Sequence, residues 1–234
     1  MTTIFTAWQG VQRRIASAAT TSGRTANEIT LLAVSKTFPA EAVRELYLCG
    51  QREFGENYVS ELQAKAHALQ DCPDLVWHFI GPLQSNKTRI VAATAAWVHS
   101  IDRLKIAERL SEQRPAHLPP LQACIQVNVS GESSKSGVEP GATIELAKAI
   151  CHLPNLALRG MMCIPDPAAN TQQLAAQFRM LRNLQQQLRA EGLPLDTLSM
   201  GMSSDLELAI AEGSTLVRVG TAIFGARNTK GQEQ

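Results

Sequence analysis

Leu31-Leu32-Ala33-Val34-Ser35-Lys36 is an apolar run that ends on a lysine. Four apolar residues bounded by polar ones read as a strand buried on both faces, the kind a parallel sheet supplies. Lys36 falls where that strand leaves the core and opens into a loop. In barrels and doubly wound sheets the chemistry collects at that edge. An amine held there and partly desolvated loses its proton and attacks a carbonyl or an aldehyde. By itself the residue also reads as a lysine snorkelling out of a strand end. The rest of the chain has to decide.

Working outward, strand-like runs recur. After 29–36 come 53–56, 76–81, 97–101, 121–129, 157–164, 197–200 and 216–220, eight in all. Helical patterns start between them near Pro39, Tyr58, Gln84, Arg103, Pro140, Thr171 and Ser204. Pro39 and Pro140 suit a first helical turn. Ser204-Asp205-Leu206-Glu207 has capping-box spacing, and Gly213 closes the same short helix. A further helix over 4–19, with Trp8, Val11, Ile15 and Ala18 on one face, precedes the first strand. This alternation predicts an α/β chain, a single (β/α)8 TIM barrel with an extra N-terminal helix. A doubly wound sheet fits the same pattern and is the second choice. The barrel is expected over 1–228, with a frayed polar tail over 229–234.

A chain of 234 residues suits one core of this kind. Its 22 basic and 21 acidic residues are dispersed, so neither nucleic acid nor an anionic membrane is an expected partner. Residues 1–17 include Trp8, Gln9, Arg13 and Arg14 and no continuous apolar stretch, so neither a signal peptide nor a membrane span is expected. The five cysteines, Cys49, Cys72, Cys124, Cys151 and Cys163, lack zinc or redox spacing. Cys124 and Cys163 sit in apolar runs and read as small buried hydrophobes. A cytoplasmic protein without a structural metal fits these features.

Under the barrel reading, strand C-termini share one face. They bring together Lys36, Gly55-Glu56-Asn57, His78, Gly81, Asn128, Met162, the segment 199–204, and Arg218-Val219-Gly220-Thr221. No clustered carboxylate pair is among them, which weighs against glycosidase chemistry. Ser203-Ser204 at a helix start and Gly220-Thr221 after the last strand are the parts a phosphate needs: outward N–H groups, a close backbone and hydroxyl donors. Ser204 also reads as a plain helix cap and Gly220 as a plain turn. A lysine facing a phosphate cradle admits a Schiff base with a sugar phosphate, or with pyridoxal 5′-phosphate (PLP). Spacing leaves both open.

The motifs narrow the choice. Leu31-Leu32-Ala33-Val34-Ser35-Lys36-Thr37, Phe54-Gly55-Glu56-Asn57-Tyr58, and Trp77-His78-Phe79-Ile80-Gly81-Pro82-Leu83-Gln84-Ser85-Asn86-Lys87 recur in one known family. So do Ser133-Ser134-Lys135-Ser136-Gly137, Arg159-Gly160-Met161-Met162 and the stretch 198–227. In this order they resemble the YggS/PROSC family of PLP homeostasis proteins, similar in fold to the barrel domain of bacterial alanine racemase. The resemblance implies that Lys36 carries PLP as a covalent aldimine and that Ser203, Gly220 and Thr221 hold the phosphate. It implies that Arg218 faces the pyridine nitrogen and that Asn57, His78 and Met200 lie in or beside the first shell. Ser204 serves the phosphate or only the cap. Many family members carry a second lysine two residues after the first; Phe38 stands there in this chain, so that amine's role does not transfer.

Two classes of function remain: a PLP carrier or regulator, and a PLP-dependent amino-acid racemase. Racemisation needs proton donors on both faces of the substrate. In alanine racemases a tyrosine from an extra β-domain serves the second face, and this sequence ends without such a domain. Its tyrosines are Tyr47, on the first crossover helix, and Tyr58, expected to pack at a helix start. An arginine at the ring nitrogen disfavours the protonated pyridine that would stabilise a carbanion. The expectation is an intracellular PLP-binding monomer that buffers the cofactor or delivers it to apo-enzymes, without turnover of its own. Lys87 and Lys135 read as solvated charges.

Overall fold

Eight short parallel strands close into one barrel, β1 to β8 in sequence order, in the computed structural model, which describes residues 3–131 and 136–226. They are β1 (Thr30–Val34), β2 (Glu53–Glu56), β3 (Val76–Phe79), β4 (Trp97–Ile101), β5 (Leu121–Gln126), β6 (Leu156–Met162), β7 (Thr197–Ser199) and β8 (Leu216–Val219). Pairing of β8 with β1, Leu32 opposite Arg218 and Ala33 opposite Val219, closes the ring and excludes the doubly wound sheet. Lys135 and the tail expected over 229–234 lie outside the described residues.

Helices cover the strands: α1 (Ile4–Thr21), α2 (Ala40–Leu48), α3 (Val59–Ala68), α4 (Thr88–Thr94), α5 (Leu104–Gln113), α6 (Thr143–Cys151), α7 (Thr171–Ala190), α8 (Leu206–Ala211) and α9 (Thr221–Phe224). In α1 the buried face is Val11, Ile15, Ala18 and Ala19, at helical spacing. Thr3 caps it by accepting from the Thr6 N–H. Asn170 and Gln173 form a reciprocal capping box on α7.

Several boundaries differ from the sequence reading. The first strand ends at Val34, and Lys36 stands in the turn beyond it. β5 stops at Gln126 because the chain turns back on itself: Asn128 N–H donates to Val138 O, and Val138 N–H to Gln126 O. α4 begins at Thr88, later than Gln84, and Pro140 opens a short 3-10 turn ahead of α6. The capping box at Ser204 does not form. Asp205 occupies the N-cap of α8, and its Oδ1 accepts from the Met202 N–H at 2.5 Å, which fastens the preceding loop instead.

Side chains alternate across each strand. The outward set, including Ala33, Phe54, Phe79 and Val98, joins the helices in one large apolar layer. Inside the ring the apolar cluster is small, only Leu32, Val34, Ile80 and Leu216, from β1, the end of β3 and β8. A Cβ on Gly55 would lie 3.2–3.3 Å from Leu32 and Ile80, so glycine leaves them room. Buried polar groups from β3, β4, β7 and β8 occupy the other side of the interior.

Candidate functional site

Period-two alternation turns Leu32 and Val34 inward and Ser35 outward, and Lys36 follows in the turn beyond the strand. The outward Ser35 Oγ donates to Glu56 Oε1 at 2.6 Å. Lys65 on α3 reaches the same point and donates to Glu56 Oε1 (2.7 Å), to Glu61 Oε2 (2.8 Å) and to the Ser35 carbonyl (2.8 Å). Glu61 Oε2 also accepts the Thr37 N–H at 2.7 Å. Thr37 has φ = 67°, a left-handed conformation unusual for a β-branched residue. A buried ion cluster thus grips the backbone on both sides of Lys36 from behind the barrel. Lys36 itself is half-buried. Burial raises the Glu56 carboxyl despite Lys65, and its Oε2 has no hydrogen-bond partner among the described residues.

Phe38 lies against the ring of Phe224 at 5.1 Å between centroids, and so ties the turn after β1 to α9. An aromatic contact thus occupies the position where the sequence reading noted Phe38.

Beside β1, Arg218 on β8 is buried and spread over three acceptors. Its Nη1 donates to Ser199 O (2.5 Å) and Ser199 Oγ (2.9 Å), and its Nη2 to Cys163 O (2.7 Å). These acceptors come from the ends of β6 and β7, so the guanidinium links three neighbouring strand ends at the mouth of the barrel. Burial lowers its proton affinity. It remains a cation, since guanidinium does not deprotonate in proteins. Cys163 and Cys124, small buried residues as expected, have thiols pushed up to about 12 by burial.

The two loops expected to hold phosphate meet. Ser203 Oγ accepts from the Ala222 N–H at 3.4 Å, joining the β7–α8 loop to the first turn of α9. Arg14 fixes that loop from outside by donating to Ser203 O and pairing with Glu207 at 2.6 Å. Gly220 stands at the N-cap of α9, where an added Cβ would lie 3.1 Å from the Val34 carbonyl oxygen. Thr221 and Ser204 are exposed and Ser203 is half-buried. Across the mouth, Asn57 follows β2, and its Oδ1 is buried with no partner among the described residues. A basic side chain, a glycine-lined backbone step, two hydroxyls and an unsatisfied amide fit a ligand with a phosphate and a polar ring.

Two residues lie elsewhere than expected. His78 sits inside the barrel on the side away from Lys36, bonded to Glu53 and His99, because its place in β3 is one inward step below Ile80. Met200 is fully buried in the apolar layer under the helices, since β7 points Ser199 inward and Met200 outward. At the N-terminal ends of the strands a cavity of about 410 Å³ is lined by Arg24, Glu28, Glu53, His78, Arg159 and Asp196, among others. Sequence reasoning did not single out Lys65, Glu61, Glu53 or His99, and it gathered Ser199 only as part of the segment 199–204. Only the i,i+4 spacing of Glu61 and Lys65 signalled a pair.

Comparison with known proteins places the chain. Residues 11–228 match the family model "Alanine racemase, N-terminal domain". The "Pyridoxal phosphate homeostasis protein" of Pseudomonas aeruginosa is 59% identical over 218 residues, 93% of each chain. Its namesake in Escherichia coli strain K12 is 53% identical over 223 residues, 93% of this chain and 94% of that one. Among solved structures, PipY of Synechococcus elongatus PCC7942 with PLP bound superposes with a TM-score of 0.80 at 39% identity, covering 90% of this chain and all of PipY. With that coverage and identity, the chain belongs to the pyridoxal phosphate homeostasis protein family, built on the alanine racemase N-terminal barrel.

Proposed function

We propose that this chain binds PLP at Lys36 and acts in PLP homeostasis in the cytoplasm, buffering the cofactor or handing it to apo-enzymes. The observation that carries the proposal is the convergence on one barrel mouth of the turn of Lys36 after β1, Arg218 on β8 and the joined loops of Ser203 and Gly220-Thr221. PipY, its relative of known structure, was solved with PLP bound. Lys36 supplies the amine for covalent attachment, and bound PLP supplies an aldehyde carbon that passes reversibly between amines. Ser203, Thr221 and the backbone at Gly220 hold the phosphate. Arg218, fixed by Ser199 and Cys163, presents a cation to the ring nitrogen and keeps that nitrogen unprotonated. Asn57 offers a carbonyl oxygen to the mouth.

The same residues argue for carriage over turnover. Tyr47 is bonded to Asp74 on the outer surface, with Arg52 over its ring at 4.2 Å. Tyr58 is exposed at the start of α3, in a groove with Pro82, Gln84 and Lys87. No carboxylate hydrogen-bonds Arg218 among the described residues. A monomer suffices for this role, because every proposed contact comes from one chain. The test is absorbance: protein loaded with PLP should show a visible band that Lys36→Ala abolishes, and a variant that keeps the band overturns the attachment site.

A further inference from the structure

Four side chains inside the barrel take no part in the proposed mouth, yet they run unbroken from the cavity at one end to Arg218 at the other. Glu53 Oε2 lies 2.6 Å from His78 Nε2, and His78 Nδ1 lies 2.9 Å from His99 Nε2. His99 Nδ1 lies 2.8 Å from Ser199 Oγ, which accepts from Arg218 at 2.9 Å. β4 and β7 are not neighbours in the ring, so the His99–Ser199 bond crosses the interior.

Donor counting fixes the direction. A carboxylate only accepts, so His78 Nε2 carries hydrogen. Both rings are buried, and burial lowers both pKa values, His99 most strongly, so each ring is neutral with one hydrogen. His78 Nδ1 is then an acceptor, and His99 Nε2 must donate to it. His99 Nδ1 becomes an acceptor in turn, and the Ser199 hydroxyl must donate to it. Arg218 N–H completes the row by donating to Ser199 Oγ. Every hydrogen points from the mouth toward Glu53.

We propose that Glu53, His78, His99 and Ser199 form a polarised relay that positions Arg218 and makes its hold depend on what Glu53 meets in the opposite cavity. The cofactor end of this inference rests on the PLP reading above. Around Glu53, the cavity holds two closed ion pairs, Arg24–Glu28 and Arg159–Asp196, so Glu53 is the carboxylate there whose partner is a histidine. Trp97 lies parallel to the His78 ring at 5.4 Å and covers one face of it. At the mouth the facing charges are Arg218 and, at longer range, Asp205. A donor in place of Glu53 reverses the row. Each ring keeps one hydrogen, now on Nδ1, and Ser199 Oγ receives hydrogens from both His99 and Arg218. Its bond to the guanidinium is then shared and weaker.

The experiment records 15N resonances of the histidine rings and the Arg218 guanidinium in PLP-free native protein, Glu53→Lys and Glu53→Gln. Expected are Nε2–H tautomers for His78 and His99 in the native protein, Nδ1–H in Glu53→Lys with shifted Arg218 signals, and recovery in Glu53→Gln, whose amide oxygen still accepts. The dissociation constant for PLP should change about fivefold or more in Glu53→Lys and return in Glu53→Gln. A native Nδ1–H tautomer at His99, or a His99 ring indifferent to Glu53→Lys, overturns the relay. Reversed tautomers with unchanged Arg218 signals overturn its coupling to the mouth. If the native protein binds no PLP, the ring and guanidinium signals still read the relay, so the two failures stay distinct.

Discussion

His78 and His99 are both held below the ordinary imidazole range by burial. In the unfolded chain each takes up a proton near pH 6.5, while the folded protein resists. As pH falls below that value the unfolded state binds more protons, and stability drops by up to about 1.4 kcal/mol per pH unit for each ring until the folded rings also protonate. Urea unfolding from about pH 7.5 to 5.5 should show this loss, and His99→Asn should reduce its slope. A slope that His99→Asn leaves untouched would sink the assignment. The raised Glu56 carboxyl has the opposite sign, losing stability as pH rises through its folded pKa, and comparison with the variant removes its contribution. At this scale the sequence singled out Lys36, Arg218, Ser203, Gly220 and Thr221 because each lies on or just after the C-terminal end of a strand. His78 was legible as a residue but misplaced, because the run 76–81 was read as one edge. Glu53, His99 and Ser199 look like ordinary strand residues in sequence. Their role comes from bonds between strands far apart in the chain, which local pattern does not encode.

Strand β6 shows what an element demands of one residue. Its register on β5 shifts between Ala123 and Cys124, and on β7 it sets Gly160 opposite Thr197. A Cβ on Gly160 would lie 1.8 Å from the Thr197 carbonyl oxygen, which no side-chain rotation relieves. Gly160→Ala should therefore cost about 3 kcal/mol or more in unfolding free energy. Gly141→Ala, with nothing within 4 Å of its Cβ, should stay within about 0.5 kcal/mol. Equal effects in denaturant titrations would refute the close approach. All eight strands and the order of the helices between them were visible in the apolar runs. The C-terminal limits of β1, β5 and β7 were not, because Ser35, Val127 and Met200 still donate backbone bonds to the neighbouring strand just past the last strand residue. The short helix α9 was hidden in a segment whose glycine and threonine read only as a loop.

For the molecule as a whole, closure of β8 on β1 gathers residues nearly two hundred positions apart into one mouth. The alternating pattern was enough to favour a barrel, with a doubly wound sheet as the second choice until that single pairing excluded it. The interior is divided, apolar against β1 and hydrogen-bonded on the side of β4 and β7. With Tyr47 bonded to Asp74 on the outer surface and Tyr58 exposed at the start of α3, the carrier reading predicts that PLP-loaded protein incubated with L-alanine and other amino acids yields no sustained D-isomer, keto acid or decarboxylation product. Chiral chromatography and product assays over many protein equivalents check this, and catalytic turnover would return the chain to the racemase class.

Glu56, Lys65 and Glu61 hold the turn of Ser35 and Thr37 from the outer side of the sheet, away from the barrel interior. The contorted shape that offers Lys36 is thus completed during folding and owes nothing to a guest. A visitor meets a finished berth, and its departure leaves no slack rope to be coiled again. Under the proposed attachment at Lys36, the tempo of loading and unloading is then set by bond exchange at one nitrogen, with no rearrangement of the chain in the queue.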